Sequence, residues 1–136
     1  MKSLIKILLT LFFLPSILSA QQFEQLYSND SCSFRGLSTY QEDVVWASGS
    51  RGVVVKSMDA GKSWTAVSPK GYAELDFRSI QLIHAQEALI VSAGSPAVIL
   101  RTTDGGSTWD EVFRDNRKEA FLDAIVLEDS LAYVIG

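Results

Sequence analysis

The sequence predicts an all-β protein, an incomplete β-propeller of about two and a half four-stranded blades preceded by a signal peptide. The pattern S/T-x-D-x-G-x-S/T-W occurs twice, and its aspartates, Asp59 and Asp104, lie 45 residues apart. Short segments rich in valine, isoleucine and aromatic residues surround both copies, and no helical periodicity follows residue 20. A repeat of this length between β-rich segments is typical of one propeller blade per repeat.

Residues 1–20 have the features of a secretion signal. Two lysines form a basic start, the stretch 7–18 is almost wholly apolar, and Ser19 and Ala20 are small residues suited to cleavage. The apolar run is short and is interrupted by Pro15, so it is a poor membrane span. We therefore expect cleavage, export to the periplasm or the medium, and no membrane span afterwards; an uncleaved anchor is the alternative.

Composition excludes several classes of function. Loss of residues 1–20 leaves 10 basic and 16 acidic side chains, without a basic cluster interleaved with aromatic residues, so a nucleic acid is not an expected partner. Cys32 is the single cysteine, which rules out an intrachain disulfide. His84 is the single histidine, which rules out a multi-histidine metal site, and we expect it at the surface. No cofactor or metal is expected.

The chain divides into a polar lead-in and three repeat units. A loose lead-in over 21–32 precedes one blade over 33–68, a second over 76–115 and a partial unit over 120–136. Each full unit has four short apolar segments divided by turn residues, and the third unit has two. The predicted strands are 33–40, 44–48, 52–57, 63–67, 77–85, 88–93, 97–102, 108–114, 121–127 and 131–135.

Two and a half blades do not close a ring, since propellers close with about four to eight. The last sheet would have an unpaired edge and an uncovered apolar face, features that promote association. We therefore expect an N-terminal fragment of a longer protein. The alternative is a short protein that completes its ring by self-association through the unclosed edges.

The third strands indicate how the sheets pack. The segments 53–55 and 98–100 are apolar at every position, a pattern typical of strands that are covered on both faces. We expect them in separate sheets that stack face to face. Trp46 is expected between the stacked blades, with sugar stacking as the alternative role.

The repeated pattern predicts a tight hairpin between the third and fourth strands of each blade. Its aspartate can accept backbone N–H groups two or three residues ahead, and its glycine can take a positive φ. The residues expected to build the two hairpins are Ser57, Asp59, Gly61, Trp64, Thr102, Asp104, Gly106 and Trp109. Equivalent positions on different blades hold the two acids too far apart for paired carboxylate catalysis, which needs about 5–10 Å, so their predicted role is structural.

The hairpin pattern resembles the Asp-box, or bacterial neuraminidase repeat. Three features occur together: Phe-Arg-x-Leu/Ile opening a blade, Val/Trp-Ala/Ser-x-Gly in the second strand, and the Asp-box hairpin after Lys or Arg. Over about residues 33–136 this combination resembles the photosystem II assembly and stability factor family of propeller proteins, including Leu75-Asp76-Phe77-Arg78 before the second blade. The resemblance implies a non-enzymatic binding scaffold with about seven blades, and nothing in the residues indicates a photosystem as the partner.

Arg35 and Arg78 are the candidate binding residues. Both follow the phenylalanine that opens a blade, and blade-opening strands line the central channel, so their guanidinium groups could bind an anion or a carboxylate there. Structural salt bridges with Asp76 or Asp123 are the alternative, and Leu122 replaces the arginine in the third unit. We expect a protein or carbohydrate ligand.

Exo-sialidases, which also contain Asp-boxes, have a similar Phe/Tyr-Arg-Ile-Pro stretch whose arginine binds the substrate carboxylate. In this chain the stretch recurs in both blades and lacks the proline. The alternative function is therefore the N-terminal part of a secreted Asp-box glycoside hydrolase, either polysaccharide-active or sialidase-like.

Overall fold

The computed structural model describes residues 23–136, which form ten β-strands in three antiparallel sheets. The first sheet has the order β1-β2-β3-β4, the second β5-β6-β7-β8, and the third contains β9 and β10. The strands are β1 Phe34–Tyr40, β2 Val44–Gly49, β3 Val54–Ser57, β4 Thr65–Ala66, β5 Asp76–His84, β6 Glu87–Ala93, β7 Ala97–Thr102, β8 Asp110–Asp115, β9 Ala124–Glu128 and β10 Leu131–Ile135. This architecture confirms the predicted unclosed propeller.

All ten predicted strands are present, and five of them are shorter than expected, β4 and β9 among them. Strand β4 has only two ladder residues, but the amide of Val67 still donates to the carbonyl of Val54 at 2.9 Å, and Oγ of Ser68 accepts the amide of Val54 at 3.0 Å. A side-chain hydroxyl thus replaces part of the ladder. Strand β9 begins at Ala124 rather than at residue 121, because its last partner in β10 is Ile135.

The blades pack face to face, so β6 is covered on both sides. Ala88 and Ile90 belong to a core shared with Trp46 and Phe77, whereas Leu89 and Val91 belong to a second core shared with Ile125. Because alternate residues of a strand point to opposite faces, an uninterrupted apolar run serves two neighbouring sheets. The segments 53–55 and 98–100 lie in different sheets, as predicted.

The innermost strands meet closely. Strand β1 packs against β5, and β5 packs against β9. Hydroxyl groups connect these strands: Oγ of Ser38 accepts the amide of Leu82 at 3.0 Å, and Oγ of Ser79 accepts the amide of Ile125 at 3.3 Å. In each bond a hydroxyl group of one blade accepts the backbone amide of the following blade. These bonds fix the position of each sheet along the strand direction of its neighbour.

One face of the third sheet is apolar and uncovered. It comprises four exposed side chains, Val126, Leu131, Tyr133 and Ile135. The opposite face of the same two strands packs on the second blade through Ile125, Leu127 and Val134. The exposed face also carries Glu128 opposite Leu131 but is otherwise apolar like the packed face, and only the packed face has a neighbouring sheet among residues 23–136.

The predicted signal peptide, residues 1–20, lies outside the described residues, so its cleavage and the export that it implies stay predictions. Within residues 23–136 no helix is long and apolar enough to cross a membrane.

The contact between the first two blades depends on a glycine. A methyl group on Gly36 would overlap Oγ of Ser48 and lie 3.0 Å from the amide nitrogen of Ile80. We expect Gly36→Ala to lower the free energy of unfolding by about 1–3 kcal/mol, because the added methyl group would have to displace Ser48 and the backbone of β5 at Ile80. Chemical denaturation measures the change. The control, Thr39→Ala, alters an exposed residue of the same strand and should stay within about 0.5 kcal/mol; equal losses for both variants would contradict the close packing.

Candidate binding surface on the inner strands

Arg35 and Arg78 occupy the same structural position in their blades. In β1, Phe34 pairs with Gly49 and Gly36 with Ser48, which leaves Arg35 as the extra residue of a β-bulge. In β5 the register shift between Phe77 and Ser79 leaves Arg78 unpaired in the same way. A bulge bends the strand locally and redirects the side chain of the extra residue. Both arginines therefore project from the start of an innermost strand.

The surroundings of the two arginines differ. Nη1 of Arg78 lies 2.9 Å from Oδ1 of Asp123, and its guanidinium carbon lies 5.5 Å from the ring centroid of Phe121. Arg78 therefore forms the salt bridge with Asp123 that was the alternative prediction, although both side chains stay partly exposed to solvent. Arg35 is exposed and has no salt-bridge partner among residues 23–136. At the third position, Leu122 packs into the core between blade two and the third sheet.

Each hairpin is closed by a short network of side-chain bonds. Oγ of Ser57 donates to Oδ1 of Asp59 and accepts the amide of Gly61, both at 2.8 Å. The Asp59 carboxylate accepts the amide of Ser63 at 2.8 Å and its hydroxyl at 2.6 Å. The same four bonds, at 2.6–2.9 Å, recur in the second hairpin among Thr102, Asp104, Gly106 and Thr108.

The principal amide bond of each aspartate reaches one residue further than predicted. Each carboxylate accepts the amide four residues ahead at 2.8–2.9 Å, and the amide three residues ahead makes a smaller contribution that also lowers the pKa of the carboxyl group. The reason is competition: the Ser57 hydroxyl takes the amide of Gly61, and the carbonyl of Asp59 takes the amide of Lys62 at 3.4 Å. The Asp59 carboxylate therefore joins the two ends of the hairpin by accepting bonds from Ser57 and Ser63.

The hairpin glycines have the predicted backbone conformation. Gly61 has a φ of 86° and Gly106 a φ of 83°, values that residues with a Cβ rarely adopt. Space is limited as well, since a methyl group on Gly106 would lie 2.7 Å from Cβ of Val67. Both positions therefore need glycine for conformation and for packing.

The two hairpin tryptophans differ in their partners. Nε1 of Trp64 donates to the carbonyl of Gly61, within its own hairpin, at 2.9 Å. Nε1 of Trp109 donates to the carbonyl of Val67, in the preceding blade, at 2.9 Å. The Trp109 ring also meets that of Trp46 edge-to-face, with centroids 6.3 Å apart. Trp46 is fully buried between the blades, so it has no surface on which a sugar could stack.

Sequence reasoning missed a lysine that joins the first two blades. Nζ of Lys56 donates to the carbonyl of Gly105 at 2.7 Å and lies 5.3 Å from the ring centroid of Trp46. The only signal was its position immediately before the first Asp-box. The cation has its partners inside the fold and is not available to a ligand.

The hairpin carboxylates are held in the charged form. Hydrogen bonds from the hydroxyl and the amide of Ser63 lower the pKa of Asp59 from 3.8 to about 2, and those from Thr108 lower the pKa of Asp104 equally. A general acid needs a raised pKa instead.

No cluster of potential metal ligands occurs within the described residues, and His84 lies exposed beside Tyr40.

Comparison with known proteins gives a family and a fold. The family model described as "Photosynthesis system II assembly factor YCF48" matches residues 17–121. A solved structure described as "YCF48 bound to D1 peptide" is similar with a TM-score of 0.63 and 23% identity, covering 76% of this chain and 34% of that chain. YCF48 from Cyanidioschyzon merolae has a TM-score of 0.65 and 21% identity, covering 82% and 36%. No curated protein sequence matches.

At these identities the two solved structures show the fold alone. The chain spans about a third of the length of each of them.

Trp109 is expected to contribute more to stability than Asp104. Trp109→Ala removes a partly buried ring and the bond to Val67, and large aromatic truncations cost about 3–5 kcal/mol. Asp104→Asn keeps the shape of the side chain and one acceptor oxygen, so a smaller loss is expected. Thermal unfolding of both variants measures the order, with Trp64→Ala as a second comparison, because the Trp64 ring bonds within its own hairpin and packs against Tyr27 rather than against a neighbouring blade. Equal losses for Trp109→Ala and Asp104→Asn would refute it.

The two hairpins predict a loss of stability in acid. Because the folded pKa of Asp59 and Asp104 is about 2 and the reference value is 3.8, both stabilise the fold above pH 4. This contribution declines as pH falls through 4 toward 2. Chemical denaturation between pH 5 and pH 2 should show a shallower decline in Asp59→Asn/Asp104→Asn than in the unaltered protein. The control, Glu42→Gln/Glu128→Gln, removes two exposed charges outside the hairpins and should retain the steep decline.

Proposed function

This chain belongs to the photosystem II assembly factor YCF48 family, and from that membership we propose that it is a non-catalytic propeller that binds an extended segment of a partner protein. The chemistry of the described residues supports a binding role. The hairpin aspartates use their oxygens to close turns, and their lowered pKa values are opposite to those of a catalytic acid. Binding then depends on groups that the fold does not use itself.

Arg35 is the observation that carries this proposal. It is an exposed guanidinium on a bulge of the innermost strand, without a salt-bridge partner in the described part of the chain. Arginine binds carboxylates through two parallel N–H bonds, which gives direction as well as charge.

A peptide with a carboxylate fits this guanidinium. Its backbone could lie along β1, with an acidic group on Arg35. One solved family member is described as bound to a D1 peptide, which supports a peptide rather than a carbohydrate as the ligand class. Arg78 supplies a second guanidinium group at the equivalent position of the second blade. Its salt bridge with Asp123 should reduce its contribution to ligand binding.

We further propose that these residues are the N-terminal part of a longer, exported propeller. The exposed apolar face of β9 and β10 matches in chemistry the faces that are covered by neighbouring blades. The solved relatives are more than twice as long as this chain. Export rests on the sequence of residues 1–20, and self-association through the open face is the alternative if no further blades follow.

Replacement of Arg35 tests the binding site. Arg35→Ala should weaken the binding of a fluorescently labelled D1 peptide, and of acidic eight-residue peptides with a free carboxyl terminus, by about tenfold. This corresponds to the loss of one charge-assisted contact of about 1.4 kcal/mol. Fluorescence anisotropy at two salt concentrations measures the affinity, and the salt dependence should decrease in the variant.

Arg117→Ala is the matched control, because Arg117 is an exposed arginine that pairs with Asp115 outside the inner strands. It should bind like the unaltered protein. If both variants weakened binding equally, the effect would come from the change in net charge, and this result would contradict a site at Arg35. Turnover of fluorogenic glycosides, sialosides included, by the complete protein would instead support the glycoside hydrolase alternative.

A further inference from the structure

The two Asp-box hairpins are covered by different segments of the chain. A methyl group built on Gly61 of the first hairpin would lie 2.6 Å from Cδ1 of Leu26, so the lead-in is packed onto this hairpin rather than loose. A methyl group built on Gly106 of the second hairpin would lie 2.7 Å from Cβ of Val67. Leu26 and Val67 therefore cover equivalent glycines, and the residue that follows each of them can be compared directly.

The residue after Leu26 places an aromatic ring on the first hairpin. The rings of Tyr27 and Trp64 are tilted by 35° and have centroids 5.3 Å apart, and the ring of Phe34 lies 5.8 Å from that of Tyr27. Aromatic pairs at separations of about 4.5–7 Å attract one another beyond the effect of area burial. The chain's own tyrosine therefore shows which kind of group the tryptophan of an Asp-box hairpin accepts.

At the second hairpin the equivalent place is a cavity. Val67 is followed by Ser68, whose Oγ accepts the amide of Val54 at 3.0 Å and places no ring on the hairpin. The cavity has a volume of about 260 Å³. It is lined by Ser68, Lys70, Ser107, Thr108 and Trp109. Because sites for whole drug-sized ligands occupy roughly 300–1,000 Å³, this cavity suits a single ring.

Most polar groups of the lining are already engaged within the protein. Nε1 of Trp109 donates to the carbonyl of Val67, and the hydroxyl groups of Ser107 and Thr108 donate to Asp104. These donors are therefore not available to the several hydroxyl groups of a sugar.

Lys70 is the exception in the lining. It is the single charged side chain there, it is exposed, and it forms no salt bridge within residues 23–136. An ammonium group is a donor only, and its strongest partner is a carboxylate. The lining thus offers an aromatic surface beside one cation.

We propose that this cavity, the Trp109 pocket, binds an aromatic side chain of a partner protein that lies next to a carboxylate. The ring packs on Trp109, as Tyr27 packs on Trp64, and the carboxylate binds Lys70. Trp109 immediately precedes the outermost strand of its blade, β8, whereas Arg35 lies on an innermost strand, β1. The pocket is therefore a contact site beyond the one proposed at Arg35.

The test titrates the protein with the peptide Gly-Tyr-Glu-Glu, acetylated and amidated at its ends, and follows the indole N–H signals by NMR. The signal of Trp109 should shift and saturate, whereas that of Trp64, which Tyr27 already covers, should stay in place. Replacing the tyrosine of the peptide by alanine should weaken binding by about tenfold, because the ring contact is lost. Replacing both glutamates by glutamine should weaken it by about threefold.

Variants of two exposed lysines test the cation. Lys70→Ala should weaken binding of the tyrosine peptide by about threefold. Lys62→Ala is the matched control, because Lys62 is an exposed lysine of the first hairpin and its loss changes the net charge equally. It should bind like the unaltered protein. Arg35→Ala should also leave this titration unchanged, which separates failure of the pocket from failure of the site proposed at Arg35.

Several results would overturn the inference. They are a Trp109 signal that does not respond to the tyrosine peptide, equal binding of the tyrosine and alanine peptides, and equal weakening by Lys70→Ala and Lys62→Ala. A Trp109 signal that responds to maltose or cellobiose but not to the peptide would overturn it in favour of a saccharide site. The peptide comparison needs no substitution in the protein, so it decides the matter even if a variant fails to fold.

Discussion

The structure depends on one constraint: a blade of this protein has two apolar faces and cannot bury both of them alone. Strand β6 shows it most clearly, because Ile90 is buried against the first blade and Val91 against the third sheet. Burial of an aliphatic side chain stabilises a fold by about 1.5–3 kcal/mol, and here a large part of that gain arises only when a neighbouring sheet is present. Stability is therefore shared along the stack, as in other repeat proteins.

The Asp-box hairpin serves this constraint by fixing the outer end of each blade. Its network of hydroxyl, carboxylate and amide groups uses only residues within eight positions of one another, so it can form wherever the pattern occurs. What varies is the contact that the hairpin makes with its neighbour. Val67 covers Gly106 between the blades, whereas Leu26 of the lead-in covers Gly61. The same hairpin structure therefore packs against different residues in the first and the second blade.

The sequence was sufficient for the features that depend on local chemistry. All ten strands, their division into sheets, the positive φ of the hairpin glycines and the burial of Trp46 follow from patterns within one repeat. Contacts between repeats were not accessible, since the sequence does not state which groups meet across blades. Three contacts are of this kind: the bond from Trp109 to Val67, the bond from Lys56 to Gly105, and the packing of Leu26 on Gly61. The bulges were missed because a register shift changes pairing without changing composition.

The position of Arg35 shows how an exposed cation arises in such a fold. A residue within the ladder has its side chain fixed on one of two faces, and in a blade with a neighbour on each side both faces are committed to packing. Arg35 is the extra residue of a bulge on the first blade, whose outer face has no neighbouring sheet among residues 23–136, so it is exposed together with Leu37 and Thr39 while Gly36 and Ser38 are buried. The charge at this position can then change without disturbing the core. At the aligned third position, Leu122 packs against the second core, so the type of residue at this position decides between exposure and packing. Of the two arginines at the bulges, Arg35 is the one without a salt-bridge partner among residues 23–136, and this is why the proposed recognition is assigned to it.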